Sequence, residues 1–147
     1  MKKTIIILLL CLAAAPAFIS CKKDDVPMVG YHYSLTNTKW KSSYSTSEPR
    51  VFLNFVTKNQ VHIFIGDVKH TYIPFTLDGD NIIFQRHQSS TVTLTDGDKS
   101  AVVTYTYEDA TIYSDKKIKL YLTATVNSNP DNLYVREGRF SVTCKKQ

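Results

Sequence analysis

Lys117-Ile118-Lys119-Leu120-Tyr121-Leu122-Thr123-Ala124-Thr125-Val126 carries the pattern from which the rest of the chain is read. Ile118, Leu120, Leu122, Ala124 and Val126 alternate with Lys119, Tyr121, Thr123 and Thr125. A period of two marks a strand with one buried and one solvated face, because successive side chains point to opposite sides of a sheet. A strand that is wet on one side belongs in an antiparallel sheet.

Beyond it, a two-residue Glu137-Gly138 turn is expected to pair Arg136 with Arg139. Leu133, Val135, Phe140, Val142 and Cys144 would then share one face, and Tyr134, Arg136, Arg139, Ser141 and Thr143 the other. The two strands agree on which face is apolar, which fixes their register and puts Cys144 inside as a small hydrophobe. Upstream, no long stretch after Thr38 has helical periodicity. Short runs of Val, Ile, Thr, Tyr and Phe alternate with Gly, Asp, Asn and Pro clusters. Strands are expected near 38–45, 50–57, 60–65, 68–77, 81–87, 91–95, 100–107, 111–114, 117–127, 132–136 and 139–145. Asp80-Asn81-Ile82-Ile83, Asp109-Ala110-Thr111-Ile112 and Asp131-Asn132-Leu133-Tyr134 each restart a strand after a turn. The expectation is an all-β, antiparallel, up-and-down meander that closes into a barrel of about eight strands or folds as a sandwich.

Leu35-Thr36-Asn37-Thr38-Lys39-Trp40-Lys41 opens the first strand. It resembles the start of lipocalin-like domains in small bacterial lipoproteins, where Leu, then Gly-or-Thr-x-Trp, opens an eight-stranded barrel. Its Leu-x-x-Thr-x-Trp form is also similar to the opening of META domains. Lipocalins have Gly two positions before the Trp, where this chain has Thr38. The resemblance implies a late-strand Arg packed across Trp40, and Arg136 and Arg139 both fall on the outward face in the register above. It implies a fold more than an activity, since one barrel hosts many functions.

Met1-Lys2-Lys3 and the apolar Thr4–Ala15 run form the charged and hydrophobic regions of a secretory signal, too short for a stable membrane span. Phe18-Ile19-Ser20-Cys21 follows, and resembles the lipobox of bacterial lipoproteins, in which a small residue precedes an acylated cysteine. The resemblance implies cleavage after Ser20 and acylation of Cys21. Several acyl chains, at ~0.8 kcal/mol per buried methylene, make such an anchor permanent. Lys22-Lys23-Asp24-Asp25 resembles the signals that send some Gram-negative lipoproteins to the outer face of the outer membrane. The chain therefore divides into a signal peptide at 1–20, a lipidated tether at 21–33 and a barrel at 34–147.

Loss of residues 1–20 leaves 127 of 147, one domain's worth, and lowers the formal charge from +5 to +3. The lysines are scattered, so nucleic-acid binding, which needs a basic stripe, has no support. With Cys11 removed and Cys21 acylated, Cys144 stands alone and a disulfide framework is excluded.

His62 and His70 flank a Gly66-Asp67 turn, but a two-residue turn puts the imidazoles on opposite faces. Neither His32 nor His87 has ligand-spaced neighbours, so no metal or cofactor is expected. Asp78-Gly79-Asp80-Asn81 and Asp96-Gly97-Asp98 resemble fragments of calcium loops, lack the distal Glu, and read as hairpin turns. Glu48, Glu108 and Glu137 lie far apart and no Gly-x-Ser-x-Gly elbow occurs, so the chain is read as a non-enzyme. Tyr105 and Tyr107 share a face with Ala101 and Val103, and Tyr72 and His70 fall on the Val61/Ile63/Ile65 face. Those four polar-tipped residues, Tyr72, Tyr105, Tyr107 and His70, are the expected lining of a ligand pocket.

The expectation is a monomeric, surface-displayed lipoprotein that is held in the membrane by its N-terminal lipid. Its barrel would take a small apolar or amphipathic ligand at its mouth. The alternative is a filled barrel that contacts an envelope protein or glycan. Cys21→Ala should move the protein from the membrane to the soluble fraction; continued fractionation with lipid would refute the anchor.

Overall fold

The computed structural model describes residues 34–43 and 45–147, so Cys21, the signal and the tether lie outside the described residues. Nine strands follow one another: β1 (Thr38–Ser42), β2 (Val51–Thr57), β3 (Gln60–Ile65), β4 (Val68–Asp78), β5 (Asn81–Phe84), β6 (Ser89–Asp96), β7 (Lys99–Ser114), β8 (Lys117–Ser128) and β9 (Gly138–Lys146). Every pairing between them is antiparallel. Neighbours in sequence pair along β1 to β5 and along β6 to β9, and β9 returns to β1.

Closure depends on β7 serving two partners along one edge. Its first half pairs with β6, from Lys99↔Asp96 to Thr106↔Ser89, while Ala110 and Thr111 pair with Ile82 and Asn81 of β5. Strands β5 and β6 therefore lie end to end in one lane between β4 and β7. The result is an eight-lane, closed, up-and-down barrel of small lipocalin-like type, not a sandwich.

Two strand expectations change. The runs at 100–107 and 111–114 are one strand, β7, interrupted by a bulge where the register slips between Tyr107 and Ala110. The bulge lets Glu108 and Asp109 both sit off the inner face, so that Tyr107 and Ala110 both point inward. Residues 132–136 are not a strand: β9 pairs with β8, from Ala124↔Gly138 to Lys117↔Lys145, and residues 129–137 cross the barrel end as a loop. Asn132 takes φ +50° there. The Asn129 amide accepts from the Leu133 N–H at 2.8 Å and donates to its C=O at 2.9 Å, so both backbone groups are satisfied without a partner strand. Leu133 is thereby pressed into the core as a plug, 6% exposed. The inward face of the final strand is as expected: Phe140, Val142 and Cys144 are buried.

The opposite end, where β1 begins, is sealed by buried Leu35 and Trp40. The Thr38 hydroxyl accepts the indole N–H of Trp40 at 2.9 Å and lies 2.5 Å from the Leu35 carbonyl, to which it donates. A glycine at 38 has no such acceptor, and an unpaired buried indole N–H would cost about 1–3 kcal/mol. The cation across Trp40 is Lys146, 5.9 Å from the ring centroid, not Arg136 or Arg139. Arg136 bonds Glu48 at 2.7 Å and lies over Phe140, while Arg139 bonds Glu108 at 2.6 Å and lies over Tyr121.

Three hairpins use the same two central residues: Gly66-Asp67, Gly79-Asp80 and Gly97-Asp98, each with positive φ at the Gly alone. That is type II′ chemistry, whose twist suits the flanking strands. Both calcium-like fragments are accordingly turns. Only Gly66 is also crowded, for a Cβ there would stand 2.7 Å from Val92 Cγ1 of β6. Gly66→Ala should lower urea stability by about 2–3 kcal/mol, combining left-handed strain with the clash. Adding Val92→Ala should recover the steric part; a Gly66→Ala protein of wild-type stability would refute the contact.

Candidate functional site

The inner wall of β7 presents Ala101, Val103, Tyr105, Tyr107, Ala110 and Ile112, all buried. Tyr105 and Tyr107 thus face inward as the alternation predicts. Tyr105 meets Phe140 edge-on at 6.3 Å. Tyr107 is caged by His70 at 5.5 Å, Phe84 at 5.7 Å and His87 at 6.4 Å, each edge-on. Both hydroxyls are buried and neither makes a hydrogen bond of good geometry, although the Gln88 main chain lies close to that of Tyr107. Burial pushes both phenols up to about 12, so both keep their protons in any physiological medium. The Glu48 carboxylate reinforces this at Tyr105, whereas at Tyr107 the nearby Gln88 main chain and Arg86 pull the other way.

Tyr72 does not join them. Ile63↔His70 follows the expected register, but the ladder then slips so that Val61 opposes Ile73. Tyr72 absorbs the extra residue with φ +56°, and Ile73 takes the inner position that simple alternation assigns to Tyr72. Tyr72 is 63% exposed on the outer wall, edge-on to His62 at 5.2 Å. The His62 Nε2 is buried without a partner, and burial, with Lys69 nearby, lowers its pKa.

His70 holds the seam of the barrel. Among the described residues no backbone ladder joins Val68–Tyr72 of β4 to β6, although the two segments run side by side. Backbone pairing along this lane ends where the Gln85 N–H bonds the Pro74 carbonyl at 2.9 Å. Above that point the His70 ring spans the gap, with Nδ1 2.7 Å from Gln88 Oε1 and Nε2 2.5 Å from Ser90 Oγ. A neutral imidazole carrying its proton on Nδ1 satisfies both contacts: it donates to the amide oxygen and accepts from the serine hydroxyl. Sequence reading found His70 and missed Gln88 and Ser90, which come within reach only through a contact spanning about twenty residues.

Serine, imidazole and amide in this order also mimic the relay of a nucleophile, its base and an orienting group. Burial decides against that role. Ser90 is 1% exposed, beneath the wall, where no acyl group can reach Oγ. The trio acts as a latch between two strands that lack a ladder.

At the upper end, Ser45, Thr46, Glu48, Arg50, Asp67 and Thr95 line a polar concavity of about 240 Å³, with Val92 and Leu94 at its base. A second hollow follows the 129–137 loop, along Val126, Asn129, Leu133, Tyr134 and Glu137. Neither is lined by Tyr72, Tyr105, Tyr107 or His70. No three His, Cys, Asp or Glu side chains of the described residues gather closely enough to hold a metal ion.

An unpaired buried hydroxyl costs about 1–3 kcal/mol, so its removal should be favourable. Tyr105→Phe should raise urea stability by about 1 kcal/mol, and Tyr107→Phe by less, because the Gln88 main chain lies close by. Their raised pKa values, with that of Cys144, also pushed up to about 12 by burial, set the alkaline limit. The native state keeps protons that the unfolded chain sheds, so stability holds below about pH 9 and is lost as pH climbs towards 12. The double Phe variant should shift alkaline unfolding upward; loss of stability at neutral pH would mean that the hydroxyls do have partners.

No family model, curated protein or solved structure matches the chain, so its assignment rests on the barrel and on these residues.

Proposed function

We propose that the chain is a lipid-tethered envelope lipoprotein that binds through the outside of its lipocalin-like barrel and does not catalyse. The observation that carries this reading is the filled interior. Tyr105 and Tyr107 are 0% exposed, packed edge-on against Phe140 and against Phe84, His70 and His87. Recognition then falls to the outer wall and the upper rim, where the polar concavity beside Glu48 and Asp67 and the exposed Tyr134 lie. On this reading the partner is an envelope protein or glycan, and the lipobox-like Ser20-Cys21 with the Lys22–Asp25 run supports a location at the outer membrane, facing outward.

A second reading keeps a small amphipathic ligand inside. Two phenol O–H groups without acceptors favour it, because a carbonyl or carboxylate brought in through the His70 seam would satisfy both. Native mass spectrometry of protein drawn from its own cells, combined with crosslinking before lysis, separates the two. The external reading expects the acylated chain without a small-molecule adduct, and a crosslinked partner that depends on the rim. A stoichiometric small mass lost in the Tyr105→Phe/Tyr107→Phe variant would instead establish the internal ligand.

A further inference from the structure

Carboxylates are distributed unevenly around the outer wall. The outward positions of β1, β2, β3 and β4 up to Thr76 hold lysines, aromatics, neutral polar residues, Val56 and Pro74, and no carboxylate. The register lines up Lys41, Phe52, Phe64 and Lys69 in one row across these four strands. Phe52 and Phe64 pack edge to face at 5.4 Å, with Lys69 Nζ 5.4 Å from the Phe64 ring. Lys39 extends one flank and the exposed Tyr72 the other. The acidic groups of the wall lie elsewhere, at the β7 bulge, where Glu108 is occupied by Thr123 and Arg139, and Asp109 faces His87.

We propose that this wall rests on an anionic phospholipid bilayer. Barrel curvature makes Phe52 and Phe64 the keel, and the lysines stand on either side. Long stems let the lysine heads reach past the curve to phosphate level while the apolar stems cover the rings. Aromatic and amphipathic side chains favour the headgroup region, and each lysine near an anionic surface adds attraction. The described chain enters the barrel at β1, beside Lys39 and Lys41, so a membrane tether would arrive on this side. The opposite wall, where the hydroxyl pairs Ser89–Thr106 and Thr91–Thr104 lie beside Lys119 stacked on Tyr113 and Arg139 held by Glu108, is then turned outward. The inference uses the tethered reading only for orientation; the affinity belongs to the barrel.

The test uses the chain after residue 20 with Cys21→Ser, which carries no acyl group. Flotation with phosphatidylcholine vesicles, with and without phosphatidylglycerol, should show partition only with the anionic lipid, weakening as salt rises. Lys39→Glu/Lys41→Glu/Lys69→Glu should lower that partition by about tenfold or more with an unchanged circular dichroism spectrum and melting temperature. Tyr72→Trp supplies an exposed indole, since Trp40 is buried, and its emission should shift to the blue and be quenched by brominated lipid. Equal partition of the charge-reversed chain, or no quenching of residue 72, would overturn the proposal. Retention on an acidic polysaccharide without vesicle binding would also overturn it, and would assign the wall to a glycan. Because the acyl group is absent, these outcomes do not depend on whether Cys21 is lipidated.

Discussion

Backbone hydrogen bonding at the two free edges governs this molecule. A meander of β1 to β5 and one of β6 to β9 each end on strands with unpaired N–H and C=O groups, which water or another strand must satisfy. The bulge at Glu108–Asp109 solves half of this by letting β7 pair with β6 and then with β5 along one edge. Asp109 also accepts the Phe84 N–H at 3.3 Å, which finishes β5 where its ladder runs out. The other half is left to side chains. Above Pro74, His70 reaches Gln88 and Ser90 across a gap that the main chain does not bridge. A ladder of several backbone bonds is thus replaced by two polar contacts, each with a net contribution of about 1 kcal/mol.

The same stretch of wall shows how the interior is organised. Tyr107 stands directly behind the latch, and its ring and those of Phe84, His70 and His87 fill the space that a wider lane would leave. Filling is achieved at the expense of two hydroxyls left unpaired, which a core made only of phenylalanine would avoid. Of the four residues expected to line a pocket, Tyr105 and Tyr107 pack inside the barrel, His70 spans its seam and Tyr72 stands on the outer wall. On the outer surface the carboxylates are confined to the bulge, the turns and the upper loops, which leaves lysines and aromatics over β1 to β4 and again along β8, and paired hydroxyls between β6 and β7.

The inward faces of β2, β3, β7, β8 and β9 are legible because strict alternation leaves one register in which the apolar set is buried, and Cys144 follows from it. The turns at Gly66, Gly79 and Gly97 are legible because few residue pairs accept their backbone. What cannot be read locally is where alternation breaks. Tyr72 and Ile73 are equally good inner residues, and only the β3 register selects Ile73. Glu108-Asp109 looks like a turn and is a bulge because β5 docks beside it. Leu133 and Val135 alternate as a strand does, yet Asn129 satisfies the Leu133 backbone and turns the segment into a lid. The lysine over Trp40 comes from the strand that closes the ring, about a hundred residues away.

That last distance has a consequence for the order of events. The joint between β1 and β9 links Trp40 to Lys146 and Ser42 to Cys144, so nearly the whole described sequence lies between its two sides. Until β9 has emerged, β1 keeps an open edge, Trp40 lacks its cation and the lower end has one wall missing. Hairpins within each meander form from neighbours and cost little loop entropy, whereas this joint closes the largest loop in the fold. A chain threaded across a membrane from its N-terminus would wait, half-assembled and edge-exposed, for its final strand.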